Sequence, residues 1–324
     1  MQAGAQFCLH LPDRSGTMVN MNRLPPEKRS SVVRCLVEGN SIRATVRMTG
    51  VAKNTVTKLL VDLGIACSAQ MDRAMRDLPC ETIQVDEIWA FVGAKQRNVK
   101  PEKAAEGWGD VWTWVAIDAD TKLVPTYRVG PRDLQEARAF IFDLSRRLRN
   151  RVQLTSDGFP AYMKSVRDAF DKEVDFAQLV KLYGEASKEE RRRYSPARCI
   201  AAVPTPIYGS PDPAKISTSY VERQNLTMRM SMRRFTRLTN AFSKKVENLA
   251  AAVSLHFAYY NYCRVHASLN GKTPAMAAGL EDHVWTVDEL IALLSAAEAT
   301  PIKRGTYRKT RERKAAARGE RISD

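Results

Sequence analysis

The chain has 324 residues, 44% of them hydrophobic, and its 51 basic residues against 36 acidic residues give a formal net charge of +15. This length and apolar content predict one sizeable core with a smaller appended module and exclude a wholly disordered chain. The charge favours a polyanionic partner, because each cation that neutralises a phosphate releases a condensed counterion. Ribosomal and membrane-surface proteins share this property.

Two further features limit the location of the protein. No apolar run approaches the roughly 20 residues that cross a bilayer, and the start of the chain lacks the charged-then-apolar order of a secretion signal. The six cysteines are scattered without a C-x-x-C pair, which favours reduced core residues over disulfides or zinc ligands. We therefore expect a cytoplasmic protein with no membrane partner.

The N-terminal part of the chain predicts a leader followed by a helical module. We expect residues 1–20 to lack regular structure, and a helix to begin after the double proline at Pro25 and Pro26. Over residues 21–79, two apolar helical faces separated by Gly50 predict helix, tight turn, helix. The second helix would present side chains suited to phosphates and base edges, namely Lys53, Asn54, Thr55, Thr57 and Lys58.

The interpretation of residues 21–79 as a helix-turn-helix module has a plain alternative. Pairs of helices are common, and any small helical bundle with solvated charges would show the same pattern. This segment contains ten basic and five acidic residues, which favours contact with DNA.

Residues 80–245 change from helical to strand periodicity. Strands are predicted for ETIQVDEIWAFV, DVWTWVAIDA, KLVPTYRV, VQLT and VDFAQLV, with helices at DLQEARAFIFDLSRRLRN and GFPAYMKSVRDAF. The order is three strands, helix, strand, helix, strand, and then a further helix. This order predicts an α/β fold of the ribonuclease H-like type, a mixed sheet flanked by helices.

Three acids in this region are candidates for one site. Asp86 lies within the first strand, where alternation directs it to one face and Glu87 to the other. Asp157 follows a later strand, at the sheet edge where sites tend to form. Glu222 begins a stretch otherwise populated by arginines and methionines. Each acid has a structural alternative, since Asp157-Gly158 is an ordinary turn and Ser219-x-x-Glu222 spells a capping box.

Helical geometry gives the Glu222 segment two stripes. One stripe is polar and basic, with Glu222, Asn225, Arg229 and Arg233, and the other is apolar. The alternation of Leu226 with methionines also fits a strand. In a helix packed near Asp86 and Asp157, Glu222 would complete a cluster of three carboxylates that requires a cation. Hard divalent ions with oxygen ligands suit such a cluster, Mg²⁺ above all, and we expect Mn²⁺ to be able to substitute.

Two such ions could promote an in-line displacement at phosphorus. Basic and polar side chains of the same segment would then bind the DNA strand, namely Arg223, Asn225, Arg229, Arg233, Arg234 and Arg237. A solvated helix face would normally interleave acids with its arginines. Here the next acid is Glu247, which favours contact with DNA.

Four stretches of the chain resemble the catalytic region of bacterial insertion-sequence transposases, specifically the family of insertion sequence one. They are QVDEIWAFV, TSDGFPAY, ISTSYVERQNLTMRMSMRRFTRLTNAFSKK and YYNYCRVHASLNGKTPAMAAGL, and the resemblance covers roughly residues 80–280. The resemblance implies a DDE recombinase with a ribonuclease H-like fold, Mg²⁺ as cofactor, and Asp86, Asp157 and Glu222 as the catalytic acids. Classical members of that family also contain a segment that resembles a zinc ribbon, followed by a helix-turn-helix. This chain has no paired cysteines with which to build such a ribbon.

The remaining segments complete the predicted organisation. Residues 181–216 are expected to be a loop-rich insertion, because their prolines argue against regular elements. Residues 246–300 are predicted to be helical. Residues 301–324, with nine basic and three acidic residues, are predicted to be a flexible tail that contacts DNA or a disordered end.

The sequence as a whole predicts a Mg²⁺-dependent transposase of the bacterial nucleoid. It would cleave phosphodiester bonds at the ends of a mobile element and join the 3′ ends to target DNA. Its partner would be double-stranded DNA, on which it would act as a homodimer or larger assembly. Two alternatives remain open: a sequence-specific regulator with an inactive nuclease-like domain, and a structure-selective nuclease of the same fold.

Overall fold

A computed structural model describes residues 24–171, 173–184, 199–236 and 240–297. Within these ranges the helices are α1 Pro26–Val37, α2 Ile42–Thr49, α3 Lys53–Ala74, α4 Pro101–Ala104, α5 Leu134–Ser145, α6 Pro160–Phe170, α7 Ser219–Ser231, α8 Val246–Ala258, α9 Pro274–Ala277 and α10 Val287–Ala297. The strands are β1 Thr82–Val92, β2 Gly109–Asp118, β3 Tyr127–Gly130, β4 Val152–Ser156, β5 Val174–Tyr183 and β6 Cys199–Tyr208. The predicted leader, the basic tail and Arg237 lie outside the described residues.

The six strands form one mixed sheet in the order β3-β2-β1-β4-β5-β6. β1, β2 and β3 pair antiparallel, β4 and β5 continue the sheet parallel to β1, and β6 returns antiparallel to β5. Three antiparallel strands followed by two parallel ones joined through helices are the arrangement of the ribonuclease H-like fold. The predicted fold class is confirmed.

Helices cover both faces of the sheet. On one face, the buried Trp114 of β2 packs against Phe140 of α5 and Tyr162 of α6, with ring centroids 6.0 and 5.8 Å apart. On the other face, α7 packs on β1 and β2, and Phe257 of α8 meets Tyr127 of β3 with ring centroids 4.8 Å apart. The core therefore has two layers, one on each side of the sheet.

The N-terminal helices begin as the sequence predicts. α1 starts at Pro26, whose missing amide hydrogen costs nothing at a helix start. Ser41 caps α2 by accepting a hydrogen bond from the Ala44 amide, and Gly50 ends it in the left-handed conformation (φ 69°). α3 packs along α8, and one connected set of buried side chains runs from Val32 in α1 to Leu294 in α10.

The third strand is shorter than the sequence predicts. Residues 122–126 lie outside it, although the Leu123 and Thr126 carbonyls still accept hydrogen bonds from amides of β2. The Val124 amide donates to Asn261 Oδ1 at 3.0 Å, and Asn261 Nδ2 donates to the Val124 carbonyl at 3.1 Å. A distant side chain therefore satisfies the backbone groups of Val124.

The expectation of irregular structure throughout residues 181–216 is wrong for residues 199–208. These residues form β6, the edge strand, which contains Pro204 and Pro206. Proline cannot donate a ladder hydrogen bond, but an edge strand leaves one side unpaired and therefore tolerates it. Proline content excludes a central strand, not an edge strand.

The part of the chain that the structure describes contains no helix with both the length and the apolar character needed to cross a membrane.

Candidate active site

The site forms where β1 runs past the end of β4. The two strands pair only from Thr82–Gln153 to Gln84–Thr155, and β4 ends at Ser156. Asp86 therefore lies two residues beyond the last pairing, beside the residue that follows β4, Asp157. The parallel register brings together two acids that are 71 positions apart in the chain.

The carboxylates converge on an open cavity of about 540 Å³. All three predicted catalytic acids, Asp86, Asp157 and Glu222, line it, together with the cations Arg132 and Lys181. One ligand oxygen from each of Asp86, Glu87 and Asp157 lies within 4.8 Å of the others. The predicted acids therefore line one cavity, but the close cluster of oxygens contains Glu87 where the sequence predicts Glu222.

Asp86 is held from the α7 side of the sheet. Its Oδ2 accepts a hydrogen bond from Asn225 Nδ2 at 2.8 Å, and Asn225 is only 6% exposed. Burial raises the pKa of Asp86 to about 6, with the charges of Asp157 and Glu222 adding to the effect. Asp86 is therefore a half-buried acid that nearby negative charges make harder to ionise.

Glu87 approaches the same cluster from the opposite face of the sheet, as strand alternation predicts for its side chain. It lies opposite Trp114 of the neighbouring strand β2, on the face of the sheet that α5 and α6 cover. Because β4 has already ended, its carboxylate still reaches the acids. Burial raises the pKa of Glu87 to about 7, with a contribution from Asp157 that Arg132 opposes.

Glu222 is positioned by the docking of α7 onto β1. Gln84 Oε1 accepts hydrogen bonds from the backbone amides of Tyr220 and Val221 at 2.8 and 3.2 Å, which fixes the first turn of the helix beside Asp86. Glu222 Oε1 accepts from Thr218 Oγ1 at 2.6 Å and forms an ion pair with Lys181. The carboxylate is thereby held at the cavity wall, 43% exposed.

Two details of the Glu222 segment differ from the sequence prediction. The capping residue is Thr218 rather than Ser219, so the predicted capping box does not form. α7 ends at Ser231, so the polar stripe does not continue as one helix to Arg233. The strand alternative for this segment is wrong.

The basic residues of this segment occupy different environments. Arg223 is exposed, Arg229 is half-buried, and Arg233 is exposed in a short 3₁₀ turn that follows α7. Arg234 is half-buried and donates from Nε to Ser243 Oγ at 2.9 Å, and burial lowers its pKa to about 10. Asn225 lies in the interior beside Asp86, where it orients that carboxylate.

The predicted DNA-contacting residues of the N-terminal module lie in the first two turns of α3. Lys53, Asn54 and Lys58 are exposed, whereas Thr55 and Thr57 are half-buried. Thr57 Oγ1 donates to the Lys53 carbonyl at 3.0 Å, and Lys58 forms an ion pair with Asp62 one turn on. Their contact with DNA stays a prediction.

Sequence reasoning missed three residues that shape the site: Gln84, Glu87 and Arg132. Gln84 carried a readable signal, since it is a polar residue in an apolar strand and shares a face with Asp86 two residues on. Glu87 and Arg132 carried no such signal in the sequence, because their roles depend on the residue at which β4 ends.

The side chains of the cavity suit a hard divalent cation. Carboxylate oxygens are the ligands that Mg²⁺ and Mn²⁺ prefer. Among the described residues, Glu87 Oε1 and Asn225 Oδ1 are buried side-chain oxygens without a hydrogen-bond partner. Buried acceptors of this kind are normally satisfied, so the donor set fits an ion.

The strand order and the acids at the end of β4 define a ribonuclease H-like protein with a carboxylate-lined cavity. No protein-family model matches the chain. The chain is 27% identical over 164 residues to the insertion element iso-IS1n protein InsB of Shigella dysenteriae, a match that covers 51% of this chain and 84% of that protein. This similarity confirms the resemblance to proteins of the insertion sequence one family that the motifs indicate.

Solved structures with similarity to the chain include three nucleoprotein assemblies. A simian T-cell lymphotropic virus intasome, in complex with a PP2A regulatory subunit, matches with 14% identity and a TM-score of 0.37 over 87% of this chain and 81% of that chain. A pre-cleavage Mos1 transpososome matches with 12% identity and a TM-score of 0.23 over 74% and 80%. A piggyBac transposase synaptic complex with hairpin DNA matches with 11% identity and a TM-score of 0.34 over 94% and 78%. With TM-scores this low, the fold assignment follows from the strand order and register of the sheet.

Proposed function

We propose that the protein is a DDE transposase that depends on divalent cations. It cleaves phosphodiester bonds at the ends of a mobile element and joins the freed 3′ ends to target DNA. The observation that carries this proposal is the convergence of Asp86, Asp157 and Glu222, from three separate elements, on one open cavity.

The three acids, which all line the cavity, would hold Mg²⁺ or Mn²⁺. When bound, two such ions would activate the attacking oxygen and stabilise the leaving oxygen of an in-line displacement. Asn225 orients Asp86 through its hydrogen bond, and the tie from Gln84 to α7 keeps Glu222 beside the cavity. These contacts pre-organise the acids on rigid elements.

The DNA would be held by basic residues on two parts of the protein, one beside the acids and one on α3. Arg223, Arg229 and Arg233 lie on α7 or directly after it, next to the catalytic cavity along the chain. The exposed first turns of α3 would recognise the element ends, with Lys53 and Lys58 on phosphates and Asn54 on base edges. Because two ends must be cut together, we propose that the protein acts on DNA at least as a dimer.

The triad is tested by three conservative variants, Asp86→Asn, Asp157→Asn and Glu222→Gln. Each removes one metal-binding charge with little change in volume, so each should lower cleavage and strand transfer by at least about a hundredfold while DNA affinity changes little. The assay uses as substrate any inverted repeats found in the DNA that flanks the gene, with Mg²⁺ or Mn²⁺, and follows both nicked and joined products. Glu247→Gln, an exposed acid outside the cavity, is the matched control and should retain full activity.

Three outcomes would contradict parts of the proposal. Retained turnover in any one of the three variants would remove that residue from the catalytic set. Wild-type protein that binds the repeats without nicking them would be a DNA-binding regulator. Nicking without joined products would identify a structure-selective nuclease.

A further inference from the structure

We propose that Glu87 is a fourth carboxylate of the metal centre, and that Arg132 is the cation it exchanges for a divalent ion. This inference rests on the proposed function, since it concerns the same cavity. It adds a fourth metal-binding carboxylate and a competing cation to the predicted triad.

The first observation is the environment of the Glu87 carboxylate. Its side chain is only 2% exposed, and one of its oxygens lies within 4.8 Å of ligand oxygens of both Asp86 and Asp157. The buried Tyr162 hydroxyl interacts with this carboxylate, but among the described residues Glu87 Oε1 accepts no hydrogen bond of good geometry. A buried carboxylate oxygen without a partner is costly, and a cation bound between the acids would satisfy it.

A second, independent observation comes from the opposite side of the sheet. Asn225 is a neutral residue and 6% exposed, and its Nδ2 is committed to Asp86. Its Oδ1 also lacks a partner among the described residues. Acceptors without partners therefore flank the acids on both sides of the sheet, one from Glu87 and one from Asn225.

Arg132 neutralises the cluster only loosely. Its Nε lies 3.5 Å from Glu87 Oε2 and its Nη2 lies 3.6 Å from Asp157 Oδ2, whereas strong charge-assisted hydrogen bonds are about 2.7–2.9 Å long. The guanidinium also lies over the Phe159 ring, 4.0 Å from its centroid, and the side chain is 35% exposed. Arg132 can therefore leave the acids without crossing a packed core.

Competition between Arg132 and the ion follows from this arrangement. A single guanidinium faces Glu87 and Asp157, with Asp86 beside them, and a divalent ion would bring two charges to oxygens that Arg132 contacts at long range. Removing Glu87 should weaken ion binding, because one of the oxygens is lost. Removing Arg132 should strengthen it, because the competing cation is lost.

The test measures binding of Mn²⁺ alone to the full chain, without DNA, from the electron paramagnetic resonance signal of free Mn²⁺. We expect Glu87→Gln to weaken binding about 10- to 100-fold. We expect Arg132→Gln to tighten binding roughly fivefold. Glu136→Gln is the matched control, because Glu136 is also a buried glutamate paired with an arginine, Arg128, and should bind Mn²⁺ as the wild type does.

The outcomes separate this inference from the proposed function. If Asp86→Asn weakens Mn²⁺ binding but Glu87→Gln does not, Glu87 is not part of the metal centre and the triad stands. If Asp86→Asn binds as the wild type does, the metal centre itself is wrong. Weaker or unchanged binding in Arg132→Gln overturns the exchange. Should Glu87→Gln fail to fold, Glu87→Asp keeps the charge on a shorter side chain and should still weaken binding.

Discussion

Asp86 shows at the scale of one residue how a carboxylate placed among other acids opposes the stability of the fold that holds it. Burial raises its pKa to about 6, above the value of about 4 for an aspartate in an unfolded chain. Between these two values the folded state binds more protons than the unfolded state. The contribution of Asp86 to stability is therefore full below about pH 4 and is lost as the pH rises through about 6.

The first stability prediction concerns Asp86→Asn in metal-free buffer. The variant removes a charge that is unfavourable in the folded state. At pH 8 its free energy of unfolding should therefore exceed that of the wild type by about 2 kcal/mol, and its unfolding temperature should be a few degrees higher. The difference should shrink as the pH is lowered to 4. Thermal unfolding followed by circular dichroism in a chelator measures both quantities.

Asp120→Asn provides the control for this prediction, because Asp120 is exposed outside the cavity. Its stability should stay within about 0.5 kcal/mol of the wild type at each pH. Equal unfolding temperatures of Asp86→Asn and the wild type at pH 8 would contradict the assigned burial cost.

At the scale of an element, the contact between α3 and α8 depends on a glycine at one position of α3. Gly64 lies in the middle of α3 where that helix crosses α8, and a Cβ there would lie 2.2 Å from the Ala251 carbonyl oxygen. The two backbones therefore touch without a side chain between them. This contact attaches the N-terminal helices to the helices that cover the sheet.

We predict that Gly64→Ala destabilises the protein, although alanine favours a helix over glycine by about 1 kcal/mol. The overlap with backbone atoms of Ala251 forces the helices apart, which should cost about 2–4 kcal/mol. Denaturant unfolding measures the change. Ala69→Gly, on the exposed face of α3, isolates the propensity effect and should cost only about 1 kcal/mol. A Gly64→Ala variant as stable as the wild type would show that α3 and α8 are not packed this closely.

Net charge becomes decisive at the scale of the whole molecule. A formal charge of +15 attracts any polyanion, so affinity for DNA alone says little about which surface binds. The connected core of the N-terminal helices and the sheet links α3 to the strands that carry the carboxylate-lined cavity. Contacts at the two places should therefore contribute to one bound state.

The last prediction concerns the salt dependence of binding to the flanking repeats. Lys53→Ala should weaken binding and lower the slope of log K against log salt by about 1, because one phosphate contact is lost. Arg73→Ala removes one charge from the same helix about 30 Å away and should leave the slope unchanged. Fluorescence anisotropy at several salt concentrations measures the slopes, and an equal effect of both variants would contradict recognition by the start of α3.

Sedimentation of the same complexes tests the proposed dimer. Complexes that contain only one protein chain would exclude it.

Local sequence patterns were sufficient for most of the elements and for the candidate acids. The apolar alternation around Asp86 predicted β1, the helical stripe through Glu222 predicted α7, and the order of elements predicted the sheet. Pattern reasoning failed where a distant group supplied the hydrogen bonds. Asn261 bonds both backbone groups of Val124, and β5 pairs with the edge strand that contains Pro204.

The sequence by itself determined which segments form strands and helices, because periodicity and capping act between residues close in the chain. Through motif resemblance it also predicted that Asp86, Asp157 and Glu222 act together. Only the tertiary structure decided that β4 ends before β1 does, and this difference in length opens the gap through which Glu87 reaches the acids and Arg132 reaches Glu87. Strand length and register are set by packing among distant residues, so a side chain whose role depends on them carries no local signal.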